Sequence, residues 1–158
     1  MGINRGKQFE EHLKSQFEAV PDTLVLRLYD VTTGFKNQNN PCDFIVFKDG
    51  TLNLFELKAI HGASLNFKHD IRENQWEKLY KYSKFPTVNA GVICWFIDYD
   101  ITLFLDMAWL CYLKEKDYKA FNVNRDIEVI PISIIDGTKK RVFFEYDLKK
   151  FLEEISYG

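Results

Sequence analysis

A chain of 158 residues that is 46% hydrophobic and 16% aromatic can bury a sizeable core, so one domain spanning residues 1–158 is expected without help from disulfides. Its three cysteines, Cys42, Cys94 and Cys111, have no CxxC spacing, which argues against a disulfide framework and a zinc ribbon, and no apolar run approaches the roughly 20 residues of a membrane span. The formal charge of −2 is not that of a typical nonspecific nucleic-acid binder, but the balance is uneven: residues 1–84 carry 12 Lys/Arg and 11 Asp/Glu, residues 85–158 carry 9 and 12.

That distribution leaves room for a modest basic face near the N-terminal half. The opening residues lack a basic-plus-apolar signal stretch, so a soluble, cytoplasmic protein is expected.

In chain order, Phe9, Leu13 and Phe17 recur at a four-residue spacing, which predicts an amphipathic helix over residues 4–19 capped by Asn4 and ended by Pro21. Residues 24–29 are a dense β-favouring run, and the polar stretch 32–40 reads as an exposed loop, a candidate substrate contact. Two apolar runs, 43–48 and 51–58, are separated only by Asp49-Gly50, a strong tight-hairpin signal. A helix over 70–84 follows, then strands over 91–97 and 102–105, a helix capped by Asp106 through Leu113, short strands over 129–135 and 141–144, and a helix from Asp147 to near Ile155. This order predicts an α/β fold, a mixed β-sheet covered by helices.

If Asp49 and Gly50 are the loop, counting outward pairs Lys48 with Thr51, Phe47 with Leu52 and finally Asp43 with Glu56. Alternation places Glu56 and Lys58 on one face, and the pairing adds Asp43 beside Ile45, Phe47, Leu52 and Leu54. Two carboxylates held close at the end of an apolar surface repel, and a divalent cation between them relieves that cost. Magnesium takes one or two carboxylates plus waters and phosphate, so Asp43, Glu56 and the Leu57 carbonyl suffice as candidate ligands, with Mn²⁺ a possible substitute. The competing reading is an ordinary solvated hairpin end.

Gln75 falls on the apolar stripe Ile71, Gln75, Leu79, Tyr82 of the second helix, where an amide needs partners; a catalytic site or a nearby backbone group would supply them. Glu10 lies at the edge of the first helix's buried stripe, either leaning toward the sheet or pairing in solvent with Lys14. Arg5, Lys7, Lys36, Lys68 and Arg72 adjoin the candidate site and are candidate contacts for DNA phosphates, although solvated helix faces explain most of them equally well. Trp76, Tyr80 and Tyr82 read as packing, and His12, His61 and His69 have no metal-ligand spacing.

Asn4-Arg5-Gly6-x-x-Phe9-Glu10, then Asp43 with Glu56-Leu57-Lys58, then Arg72-x-x-Gln75 and Gly91-Val92-Ile93 resemble, in order and spacing, the PD-(D/E)xK nucleases and within them the RecU-type Holliday junction resolvases of bacteria and phages. The resemblance implies a restriction-endonuclease-like fold, metal-ligand roles for Asp43 and Glu56, a catalytic role for Lys58, supporting roles for Glu10 and Gln75, and a homodimer acting on four-way DNA junctions. The chain departs from that family in lacking a long basic stalk: residues 31–41 carry a single lysine, Lys36.

The function expected from sequence is a Mg²⁺-dependent endodeoxyribonuclease, most specifically a junction resolvase in recombination and repair. The alternatives are a nuclease of the same fold acting on duplex or flap DNA, and a catalytically silent DNA-binding protein.

Overall fold

The structure, a computed structural model, describes residues 4–29 and 40–157. Helix α1 (Arg5–Glu18) starts where Asn4 accepts a 3.0 Å hydrogen bond from the Lys7 N–H, and it buries Phe9, Leu13 and Phe17 at the predicted spacing. Strands β1 (Leu24–Arg27), β2 (Phe44–Lys48) and β3 (Thr51–Ile60) form an antiparallel meander. The hairpin register is the one counted from the sequence, Lys48 opposite Thr51 through Phe44 opposite Phe55. It is set by Asp49 and Gly50, both at positive φ, 50° and 78°, as a two-residue turn of the twist-compatible type requires.

After a short strand β4 (Ser64–Asn66), helix α2 (Glu73–Ser83) crosses to β5 (Val88–Phe96), which pairs parallel to β3. Strand β6 (Ile101–Asp106) returns antiparallel, and Asp106 caps helix α3 (Met107–Glu115) by accepting from the Ala108 N–H. Strands β7 (Ala120–Asn122), β8 (Ser133–Ile134), β9 (Gly137–Lys139) and β10 (Phe144–Tyr146) precede helix α4 (Leu148–Glu154), capped by Asp147.

The central sheet has the order β1-β2-β3-β5-β6-β8 and is mixed, with β3 and β5 in its middle. Two apolar clusters sandwich it. Residues of α2 and α3, such as Leu79 and Leu110, pack on Leu54, Val92 and Cys94. Phe9, Leu13 and Phe17 of α1 and Phe151 of α4 pack on Phe44, Phe55, Leu57 and Ile93 from the other side. The fold is therefore the mixed α/β sheet flanked by helices that the element order implies.

Several expected boundaries differ. The first strand ends at Arg27 rather than residue 29, and the second helix begins at Glu73 rather than 70. Residues 66–72 form a side-chain-bonded turn instead: Asp70 accepts from the Asn66 N–H, and Asn66 accepts from Lys68 and His69. The strand expected over 129–135 shrinks to Ser133–Ile134, because Pro131 removes a ladder donor. The strand expected over 141–144 is displaced to Phe144–Tyr146, which pairs with β9 in a separate ribbon. The three-residue strands β4 and β7 pair with each other and are too short to leave a periodic signal. The loop expected over 32–40 lies, except for Asn40, outside the described residues. Among the described residues, no helix is long and apolar enough to cross a membrane.

Candidate active site

At the end of the hairpin away from its turn, the ladder changes. Phe44 partners Phe55, but the Asp43 N–H also donates to the Phe55 carbonyl, at 3.0 Å, so two residues stand opposite one. The direct ladder pairing of Asp43 with Glu56 expected from the register is therefore replaced by a bulge, the local device that re-aims a side chain at a strand end. Asp43 Oδ2 instead accepts the Leu57 N–H at 2.8 Å across the edge of β3 that β2 no longer covers. In a strand, the N–H and C=O of one residue point the same way, so the Leu57 carbonyl shares that edge with the Asp43 carboxylate.

Glu56 sits one residue earlier on β3 and is only 4% exposed. Lys58, two residues on and hence on the same face, brings Nζ to 2.9 Å from Glu56 Oε2. Gln75, fully buried in the first turn of α2, lies beside Glu56. Its Oε1 accepts from the Arg72 N–H at 3.1 Å and so closes the helix start. Gln75 Nε2 and Glu56 Oε1 are each buried without a well-formed hydrogen bond. The neighbouring-backbone reading of Gln75 therefore describes its oxygen, while its Nε2 lies buried on the Glu56 side.

From the opposite layer, α1 contributes Glu10. It does not pair with Lys14, which stands 3.8 Å from Glu18 instead. Glu10 Oε2 lies 2.5 Å from Nη2 of Arg27, and Arg27 Nη1 lies 3.5 Å from Asp43 Oδ1. The guanidinium also donates to the Leu28 carbonyl and stacks on Tyr29 and Phe44, 4.7 and 5.3 Å from the ring centres. Arg27 is a component the sequence reading did not single out. Its signal was present, an arginine inside an otherwise apolar strand run, but strand alternation alone does not say which charges turn inward.

Three acids, Glu10 of α1, Asp43 just before β2 and Glu56 of β3, therefore converge with Arg27 and Lys58. Burial is the main cause that raises all three carboxyls above their ordinary range. Asp43 is raised further by Glu10 and held back by the Leu57 N–H and by Arg27. Glu56 is pushed up to about 7, with Asp43 adding to the effect of burial and Lys58 opposing it.

Among the described residues, no three acidic, histidine or cysteine side chains close around one point as a ready metal-ligand set. Arg27 and Lys58 take up oxygens of Glu10 and Glu56. The residues nonetheless fit a hard divalent cation. Glu56 Oε1 is buried and orphaned, Asp43 is held nearby, and the Leu57 carbonyl borders the same edge. One or two carboxylates with a carbonyl are what magnesium ordinarily takes from protein.

A cavity of about 380 Å³ opens between the start of α1 and the end of β3, lined by Asn4, Lys7, Glu10, Leu57 and Lys58 among others. Lys7 thus faces the cluster. Arg5 lies on the same helix turn, stacked on Phe143, and Arg72 occupies the cap of α2 one turn before Gln75. Lys68 is exposed on the turn before α2, and Lys36 falls outside the described residues. Trp76 donates to the Phe67 carbonyl and is buried, as a packing residue should be, while His61 is exposed and pairs with Asp98.

No protein-family model matches the chain, and no curated protein matches it. Among solved structures, the chain is similar to Hjc, a Holliday junction resolvase from the archaeal hyperthermophile Archaeoglobus fulgidus. The two are 17% identical with a TM-score of 0.48, over 65% of this chain and 78% of that one.

Proposed function

We propose that this chain is a metal-dependent DNA endonuclease of the PD-(D/E)xK type, with branched four-way junctions as its substrate. The observation that carries the reading is the convergence of Glu10, Asp43 and Glu56 with Lys58 and Gln75 at one sheet end. Buried acids at raised pKa beside a lysine are costly to maintain for stability alone and are characteristic of sites that handle charge.

In this reading Asp43, Glu56 and the Leu57 carbonyl hold Mg²⁺, with Mn²⁺ able to replace it. The bound cation supplies charge stabilisation for a phosphate and lowers the pKa of an attacking water. Glu56 turns one oxygen toward Lys58, which fixes the ammonium where it can orient the water or neutralise charge on the phosphoryl oxygens. Gln75 offers its free amide N–H to Glu56 or to a water beside it. Glu10 and Arg27 set the position of Asp43 from the α1 side. Water attacks in line on the phosphorus and gives up a proton to solvent as the P–O3′ bond breaks, leaving a 5′-phosphate and a 3′-oxygen that takes a proton from solvent to become the 3′-hydroxyl. Arg5, Lys7, Lys36, Lys68 and Arg72 contact flanking phosphates.

Two nicks related by a twofold axis need two active sites, so the proposal includes a homodimer. An exposed apolar face supports it. Leu24, Leu26, Ile45 and Phe47 share one face of β1 and β2, and Leu24, Leu26 and Phe47 are 55%, 47% and 44% exposed.

The test is cleavage of four-way, flap and linear DNA in Mg²⁺ or Mn²⁺ by the wild type and by Lys58→Ala. Symmetric nicking of the junction, lost by at least two orders of magnitude in the variant, is expected. Failure to cut any of the three DNAs would remove the nuclease reading, and equal cutting of linear duplex would remove the junction preference.

A further inference from the structure

A second charged surface lies on the α2–α3 side of the molecule. Between the turn before α2 and the end of α3 is a cavity of about 530 Å³ whose lining includes Lys68, Trp76, Lys114, Tyr118 and Lys119. A neighbouring cavity, also about 530 Å³, shares Tyr118 and Lys119 and adds Lys116 and Arg125. The two form one elongated track, with Glu73 on the first and Asp117 on the second as its acidic members.

Four features make this track more than a solvated face. Lys68, Lys114, Lys116 and Lys119 are exposed, and none of them has an ion pair with a described residue, although the chain as a whole is acidic. The floor is rigid: the Trp76 indole is fixed by its 3.0 Å bond to the Phe67 carbonyl. The Lys114 ammonium lies over that indole, 4.5 Å from the ring centre, which holds its charge at the track. Finally, Trp76 directly follows Gln75, so the track begins one residue along α2 from the wall of the acid cluster. Three of the four lysines come from the half of the chain with the acidic excess, so the fold concentrates a charge that the sequence average conceals.

We infer that this track binds the sugar-phosphate backbone of DNA beyond the scissile phosphate. Exposed lysines spread along an open trough suit a repeating row of phosphates better than one small anion in a closed pocket. The inference rests on the proposed nuclease function for its choice of DNA, but it concerns binding and is tested without cleavage.

Binding of fluorescent four-way DNA is measured by anisotropy in metal-free buffer, as a function of salt, for the wild type and Lys114→Gln/Lys119→Gln. Each phosphate contact contributes about one to the slope of log affinity against log salt. The double variant is therefore expected to bind about 10-fold more weakly at moderate salt, with the slope reduced by about 2. Lys140→Gln/Lys149→Gln changes the net charge equally on other elements and is expected to bind like the wild type. If thermal unfolding shows that losing Lys114 loosens Trp76, Lys116→Gln/Lys119→Gln carries the same expectation.

Wild-type affinity and slope in a folded track variant overturn the inference, as does an equal loss in the control pair or a wild type that binds no DNA. A wild type that binds through the track yet never cuts in Mg²⁺ leaves this inference standing and removes the nuclease reading.

Discussion

Arg27 Nη2 stands 2.5 Å from Glu10 Oε2 while Nη1 of the same guanidinium reaches Asp43 Oδ1 at 3.5 Å. One cation therefore ties an acid of α1 to an acid just before β2, and it does so largely out of solvent. Removing one partner of such a group leaves like charges facing each other without compensation.

Arg27→Met is accordingly expected to destabilise the metal-free protein by about 3 kcal/mol near pH 7.5 in urea unfolding. The loss should shrink at pH 5, where Glu10 and Asp43 are more readily protonated. A loss that does not change with pH would mean that Arg27 acts through its stacking on Tyr29 and Phe44 alone.

Glu56 gives the metal-free protein a pH dependence of a particular sign. Its pKa is raised from 4.5 to about 7 in the fold, so between those values the folded chain binds more protons than the unfolded one. Stability from this group is then fully present below about pH 4.5 and declines as pH rises toward 7. One pH unit corresponds to about 1.4 kcal/mol, so the ceiling is about 3 kcal/mol. Urea midpoints measured across this window should fall for the wild type and flatten for Glu56→Gln; parallel curves would show that the acid is not buried as described.

Gly91 on β5 pairs with Asp106 on β6. A Cβ there would lie 2.3 Å from the Leu105 carbonyl oxygen and 3.1 Å from the Asp106 Cα, both backbone atoms that cannot rotate away. Gly91→Ala is expected to cost about 2–3 kcal/mol by forcing the strands apart. Denaturant unfolding within 0.5 kcal/mol of the wild type would contradict this close approach.

The exposed face of β1 and β2 makes a prediction about assembly. If the proposed homodimer forms through this face, the wild type should sediment as a dimer and Leu26→Glu/Phe47→Lys as a folded monomer at the same concentration. A wild type that is already monomeric, or a variant that still dimerises, would place the twofold contact elsewhere or remove it.

Much of the site was legible because it depends on local rules. A two-residue Asp49-Gly50 turn fixes register, and register with alternation is enough to put Glu56 and Lys58 on one face and Asp43 near them. Gln75 was legible as a polar break in an apolar helical stripe, and Glu10 as an acid at a stripe's edge. What escaped the sequence depends on tertiary geometry. The bulge at Asp43 follows from how β2 ends, not from any residue type within it. Arg27 turns inward because α1 brings Glu10 over the end of β1, a relation between segments with no local signal. The lysine track joins residue 68 to residues 114–119, which only the pairing of β4 with β7 and the packing of α2 on α3 bring together.

The central claim is that Asp43 and Glu56 jointly hold a hard divalent cation. Thermal unfolding of the wild type, Asp43→Asn and Glu56→Gln with increasing Mn²⁺ tests it most directly. A ligand at 100 times its Kd stabilises the folded state by about 2.7 kcal/mol. The wild type should gain stability of that order on saturation, and both variants should gain little or none. A wild type that Mn²⁺ does not stabilise, or variants stabilised as much as the wild type, would contradict the account.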